Sequence, residues 1–147
     1  MKRLHCKKLG GFNMPKRYTC FVVMGVMVLL AACQSHSLKT GQTLFQENCA
    51  NCHGIYAEGD GPASVDIGLP IPDLRYLRQS SAGIFPADLV YQVIDGQRDD
   101  VTHFPRRMPV WGYEFSVREG DDDSAVRHAK EKIQALTDYI QSIQQPE

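Results

Sequence analysis

The chain has 147 residues, enough for one compact domain and not for two. Its 16 Lys and Arg nearly balance its 17 Asp and Glu, but six of the basic residues and none of the acidic ones precede residue 33. The 115 residues that follow carry ten basic and 17 acidic side chains, a net charge of −7, which argues against nucleic acid and suits a body that meets a basic partner.

Lys2, Arg3, Lys7, Lys8, Lys16 and Arg17 form a basic leader, followed by the apolar run YTCFVVMGVMVLLAA over residues 18–32. A spanning helix wants about 20 apolar residues, more than this run supplies. Basic start, short apolar middle and small closing residues are the marks of a secretory signal peptide over residues 1–32. Met14 offers an alternative translation start with a signal of more ordinary length. The run ends in LAAC, which resembles the lipobox of bacterial lipoproteins. That resemblance implies acylation of Cys33 and attachment to a membrane on the periplasmic side. Three acyl chains would hold firmly where one binds reversibly. A chance cysteine beside a cleavage site is the plain alternative. Gln34 stands where an aspartate commonly signals inner-membrane retention, so the outer membrane is favoured.

Residues 33–37, CQSHS, read as a polar tether, and residues 38–147 as the domain. From Leu38 a helical pattern puts Gly41, Leu44, Phe45 and Cys49 on one face and runs to Gly54. The stretch GIYAEGDGPASVDIGLPIPDL keeps no period and reads as loop, with a short helix at 73–79. FPADLVYQVIDG predicts a helix with Pro86 in its first turn and Gly96 as a left-handed stop. Its Leu89 and Val93, with Val90 and Ile94, are candidates for the inward face. QRDDVTHFPRRMPVWGYEF, with Pro105 and Pro109, reads as an ordered loop without regular structure. The acidic run at 121–123 and Ser124 cap a last helix, whose Val126, Ala129, Ile133, Leu136, Ile140 and Ile143 recur at steps of three or four. No strand is convincing, so the fold class is all-α. Short helices and a long Gly/Pro loop bury little surface by themselves, so something apolar should complete the core.

Cys6 and Cys20 leave with the signal, and Cys33 is the candidate lipid site. Only Cys49 and Cys52 remain, too few for a disulfide scaffold. They stand in CANCH with His53, a Cys-x-x-Cys-His signal for c-type haem attachment. On a helix all three lie within one turn on one side, where two sulfurs can bond the haem vinyls and the imidazole can reach the iron. Structural zinc needs four ligands, and His36, His103, His128 and carboxylates are the only other candidates. A redox dithiol would sit beside a βαβ pattern, which is absent. The export signal agrees with haem c, one per chain, because attachment occurs outside the cytoplasm.

Met108, in RRMPVWG, is the only methionine beyond the leader and lies 55 residues past His53. A lone methionine is ordinarily core filling; this one follows a haem motif and sits between prolines. It is therefore the candidate second axial ligand, with His103 the rival. Trp111 is a candidate to pack on the macrocycle. Arg106 and Arg107 could pair with a haem propionate or be a solvated loop. His36 falls in the tether, and His128 on the outer side of the last helix.

CANCHGIYAEGDGP, VIDG and MPVWG together resemble the class I c-type cytochromes over residues 38–145. The resemblance implies a cytochrome c-like fold in which the first and last helices cross near a glycine and an aromatic; Gly41, Phe45 and Tyr139 occupy suitable positions. It also implies a proline carbonyl accepting a hydrogen bond from His53 Nδ1–H, for which Pro62 is the choice and Pro72 the alternative. The spacing of 55 residues and the acidic insert at 119–123 depart from the shortest members. The expected role is that of a one-electron carrier, not an enzyme, exchanging electrons between redox protein partners at a membrane surface. It could stand alone or belong to a larger oxidoreductase. The alternative is a gas sensor or peroxidase-like protein with an open sixth position, which requires Met108 to be mere packing.

Overall fold

The computed structural model describes residues 36–68, 70–98 and 108–146. Cys33, His103, Arg106 and Arg107 lie outside them. Among the described residues six α-helices follow one another: α1, helical over residues 36–48, α2 (Ala50–His53), α3 (Ser64–Ile67), α4 (Ala87–Asp95), α5 (Trp111–Arg118) and α6 (Asp123–Ser142). Two single 3-10 turns, Leu74–Tyr76 and Gln79–Ser81, lie in the loop before α4, where one short helix was expected. No strand occurs among the described residues.

Helix α6 is the spine. Asp122 caps it, accepting from Ala125 N–H at 2.8 Å and Ser124 Oγ at 2.7 Å, which satisfies one of the orphan donors at a helix start. Its buried stripe is Ala125, Ala129, Ile133, Leu136 and Ile140. Val126, expected inside, is 40% exposed, and Ala125 takes its place because 125, 129 and 133 continue one line at steps of four. His128 is exposed as expected. Glu119 of the acidic insert holds His128 at 2.9 Å and also pairs with Lys132.

Helix α1 crosses α6 with almost nothing between the backbones. A Cβ at Gly41 would stand 2.0 Å from the Ala135 carbonyl oxygen. Beside the crossing Phe45, fully buried, meets Tyr139 with ring centroids 5.4 Å apart. His36 and Ser37, read from sequence as the end of a tether, are already helical. Ser37 Oγ donates to Asp138 on α6 at 3.0 Å, which ties this part of α1 to α6.

Helix α4 ends at Gly96 in the left-handed conformation, φ 91°, its N–H bonded to the Gln92 carbonyl, as the sequence predicts. Its buried residues are Val90 and Ile94; Leu89 and Val93 are half-buried. The stripe turns that way because α4 packs on both α5 and α6. Helix α5 is the larger correction, since residues 111–115 were expected to be irregular. Pro109 precedes the helix rather than interrupting it, and Glu114 N–H closes the first turn on the Val110 carbonyl at 2.9 Å. Trp111 and Phe115, one turn apart, are both buried with ring centroids 5.3 Å apart. That i, i+4 pair was the available signal.

The chain end ties the long loop down. Gln144 Nε2 donates to the Leu74 carbonyl at 2.7 Å, and its Oε1 accepts from Arg78 N–H at 2.9 Å. Arg75 binds Asp73 through Nε and Nη2 and reaches Glu58 with Nη1. These contacts anchor the loop that returns beneath the motif.

Candidate haem attachment site

The motif sits at a helix break. Helix α1 ends at residue 48, Cys49 is a turn residue, and α2 carries Cys52 and His53. The break costs no backbone partner: Cys49 N–H bonds Phe45, Cys52 N–H and His53 N–H both bond Cys49, and Gly54 N–H bonds Ala50. The three side chains therefore leave one turn together. They do not form a metal-binding group, and no cluster of three or more His, Cys, Asp or Glu among the described residues does. A donor set spread along a turn suits two bonds to a macrocycle edge and one to its metal better than it suits a single ion.

The two cysteines are half-buried and not joined as a disulfide, and His53 is 8% exposed. Burial pushes the Cys49 thiol up to about 12, with the neighbouring Cys52 adding to the shift. A neutral sulfur is thus what this environment favours. A thioether, which cannot ionise, carries no such desolvation cost.

The loop after the motif is folded back onto it. Gly59 N–H donates to the His53 carbonyl at 2.8 Å, and Ala63 N–H to the Asn51 carbonyl at 2.9 Å. Gly61 presses on the motif backbone: a Cβ there would lie 2.5 Å from the Asn51 oxygen and 2.6 Å from the Ala50 oxygen. Ala57, fully buried with φ 63°, accepts Leu74 N–H through its carbonyl at 2.9 Å. Sequence reasoning did not single out Gly61 or Ala57. GDGP hinted at the first, and nothing marks an alanine that must turn left-handed.

Pro62 lies beside the motif on this loop and is exposed. The backbone that meets the motif comes from Gly59, Gly61 and Ala63, which pack on or bond to residues 50–53 through the main chain.

Met108 is half-buried and packs against the core cluster that includes Phe45, Ala50, Ala57 and Trp111; Cys49 packs against the same cluster. The segment after it is held by α4: a Cβ at Gly96 would meet Val110 Cγ1 at 2.5 Å, and one at Gly112 would meet Asp95 Oδ1 at 2.2 Å. Trp111, expected against a macrocycle, opens α5 and is 7% exposed, with the Arg118 guanidinium over its ring at 5.5 Å. His36 is exposed on α1, far along that helix from the motif.

No significant match emerged among curated proteins or among solved structures. The family model for cytochrome c matches residues 38–144, from the first turns of α1 past the end of α6. The chain belongs to the cytochrome c family of electron-transfer haem proteins, and its cofactor is covalently bound haem c.

Proposed function

We propose that this protein is a respiratory one-electron carrier in which His53 and Met108 would both be ligands to the haem iron. The observation that carries the reading is the place of Met108, the only methionine beyond the leader, packed against the same core cluster as Cys49. When bound, the haem supplies reversible one-electron exchange at its iron. Cys49 and Cys52 would hold the group by thioethers, and His53 and Met108 would supply its iron ligands, the Met108 thioether raising the potential. Trp111 and the loop at 57–63 keep water from the site, and Arg106 or Arg107 offsets a propionate charge. With His53 and Met108 both committed to the iron, no position would be left for a substrate, so the proposed role is transfer rather than catalysis.

The same reading places the protein on the periplasmic side, anchored by lipid on Cys33, with the outer membrane favoured. Redox proteins with a basic docking face are its donor and acceptor, as the charge of −7 on residues 33–147 suggests. Whether it stands alone or within a larger oxidoreductase, the transfer step is the same. The test is Met108→Ala in haem-loaded protein. Oxidised wild type should show the weak far-red band of a sulfur–iron bond. The variant should lose it, fall in midpoint potential and bind carbon monoxide when reduced. A variant that keeps the band refutes Met108 as ligand and favours the sensor or peroxidase-like alternative. For the anchor, Cys33→Ala should move the protein from the membrane fraction to the soluble one; unchanged partitioning would refute lipid attachment there.

A further inference from the structure

Arg118, at the end of α5, reaches two places at once. Its Nη1 donates to Asn48 Oδ1 at 2.9 Å, on the residue directly before Cys49. The same guanidinium lies over Trp111 at 5.5 Å and over Phe115 at 5.8 Å from the ring centroids. Asn48 is itself held, its Nδ2 donating to the Leu44 carbonyl at 2.9 Å. Trp111 stands three residues after Met108, and its segment is fixed on the far side by the close contacts of Gly96 and Gly112 with Val110 and Asp95. Glu114, 3.9 Å from Nη2, is exposed and leaves the other nitrogen to Asn48.

We propose that Arg118 is a positioning residue that clamps the Met108 segment to the cysteine–histidine turn, and so sets how firmly the methionine is held at the iron. The proposal rests on the His53/Met108 reading. The chemistry requires arginine: a planar group can stack on an indole face while donating in its own plane, and an ammonium cannot. Without the clamp, Trp111 keeps its contacts to Phe115 and α4, but the link to the residue before Cys49 is gone.

The experiment is a urea titration of haem-loaded wild type, Arg118→Ala, Arg118→Lys and Asn48→Ala. It follows the far-red sulfur–iron band and the helical circular dichroism in parallel, with the midpoint potential measured in buffer. In Arg118→Ala the band should disappear at lower urea, corresponding to about tenfold weaker methionine ligation. The circular dichroism midpoint should move much less, and the potential should fall. Arg118→Lys should not restore the band. Asn48→Ala should shift it the same way, and adding it to Arg118→Ala should change little. Parallel shifts of band and helix signal would overturn the proposal in favour of a general structural role. Full rescue by lysine would also overturn it, by showing that charge alone suffices. A wild type without the band would refute the Met108 reading itself, and the clamp with it.

Discussion

Gly41→Ala tests the crossing on which the whole fold is hung. A Cβ at position 41 would lie 2.0 Å from the Ala135 oxygen, 2.7 Å from its carbonyl carbon and 2.8 Å from Tyr139 Cβ. Non-bonded carbons rest at about 3.5–4.0 Å, and a gap of about 0.5–1 Å already forfeits a quarter to a half of the dispersion well. Two of the three blocking atoms are backbone, so α1 must retreat by roughly 1 Å along a contact that includes fully buried Phe45 and Leu136. Overpacking of that kind costs about 3 kcal/mol, the upper end of its usual range. Alanine returns about 1 kcal/mol through its better helix propensity. The net loss is about 2 kcal/mol, a large share of a stability of about 5–15 kcal/mol. With a urea slope of about 2 kcal/mol per molar, the unfolding midpoint of the haem-loaded variant should fall by about 1 M. An unchanged or higher midpoint would mean that propensity outweighs the clash, and that the two helices are not in backbone contact at Gly41.

Gly61→Ala should cut the yield of haem-loaded protein several-fold, because its Cβ would collide with the Asn51 and Ala50 carbonyls and hold the loop off the motif. Gly68→Ala meets nothing within 4 Å and has only its φ of 66° to strain, about 1 kcal/mol, so its yield should match wild type; equal yields from both variants would refute a steric role for Gly61. Acid should unfold the protein partly through the α6 cap: the Ala125 N–H, then the Ser124 hydroxyl, hold Asp122 below its ordinary value of 3.8. A carboxylate depressed on folding stabilises above its unfolded value, and that contribution is lost as pH falls through the folded one. Asp122→Ala should therefore lower the melting temperature at neutral pH and flatten its decline below about pH 4. Identical acid limbs in the two proteins would refute the cap's part in it.

Much of the site was legible because covalent chemistry confines it to short sequence spans. CANCH carries its geometry with it, since residues three and four apart on any helical turn share a side. The last helix was legible from its periodicity, its cap from DDDS, and the stop of α4 from a glycine that alone adopts φ 91° without strain. The start of α5 was missed because two prolines suggested irregular chain, although a proline just before a helix costs it no hydrogen bond. The first turn of α6 was read one residue off and the inward face of α4 was left among four candidates, because neighbouring steps of three and four fit the same pattern until a partner surface selects one.

The sequence by itself determined the attachment chemistry and the all-α class, which depend on local spacing, while the crossing at Gly41 was legible only through the family resemblance. Tertiary structure alone decided that Gly61 presses on the motif backbone, and that Ala57 must be buried and left-handed. It also decided that Arg118, which stacks over Trp111, bonds Asn48 across 70 positions of sequence. The physical reason is the same in each case: these are contacts between backbone or side-chain atoms remote in the chain, and their energies depend on distances of a few ångströms that no local pattern records.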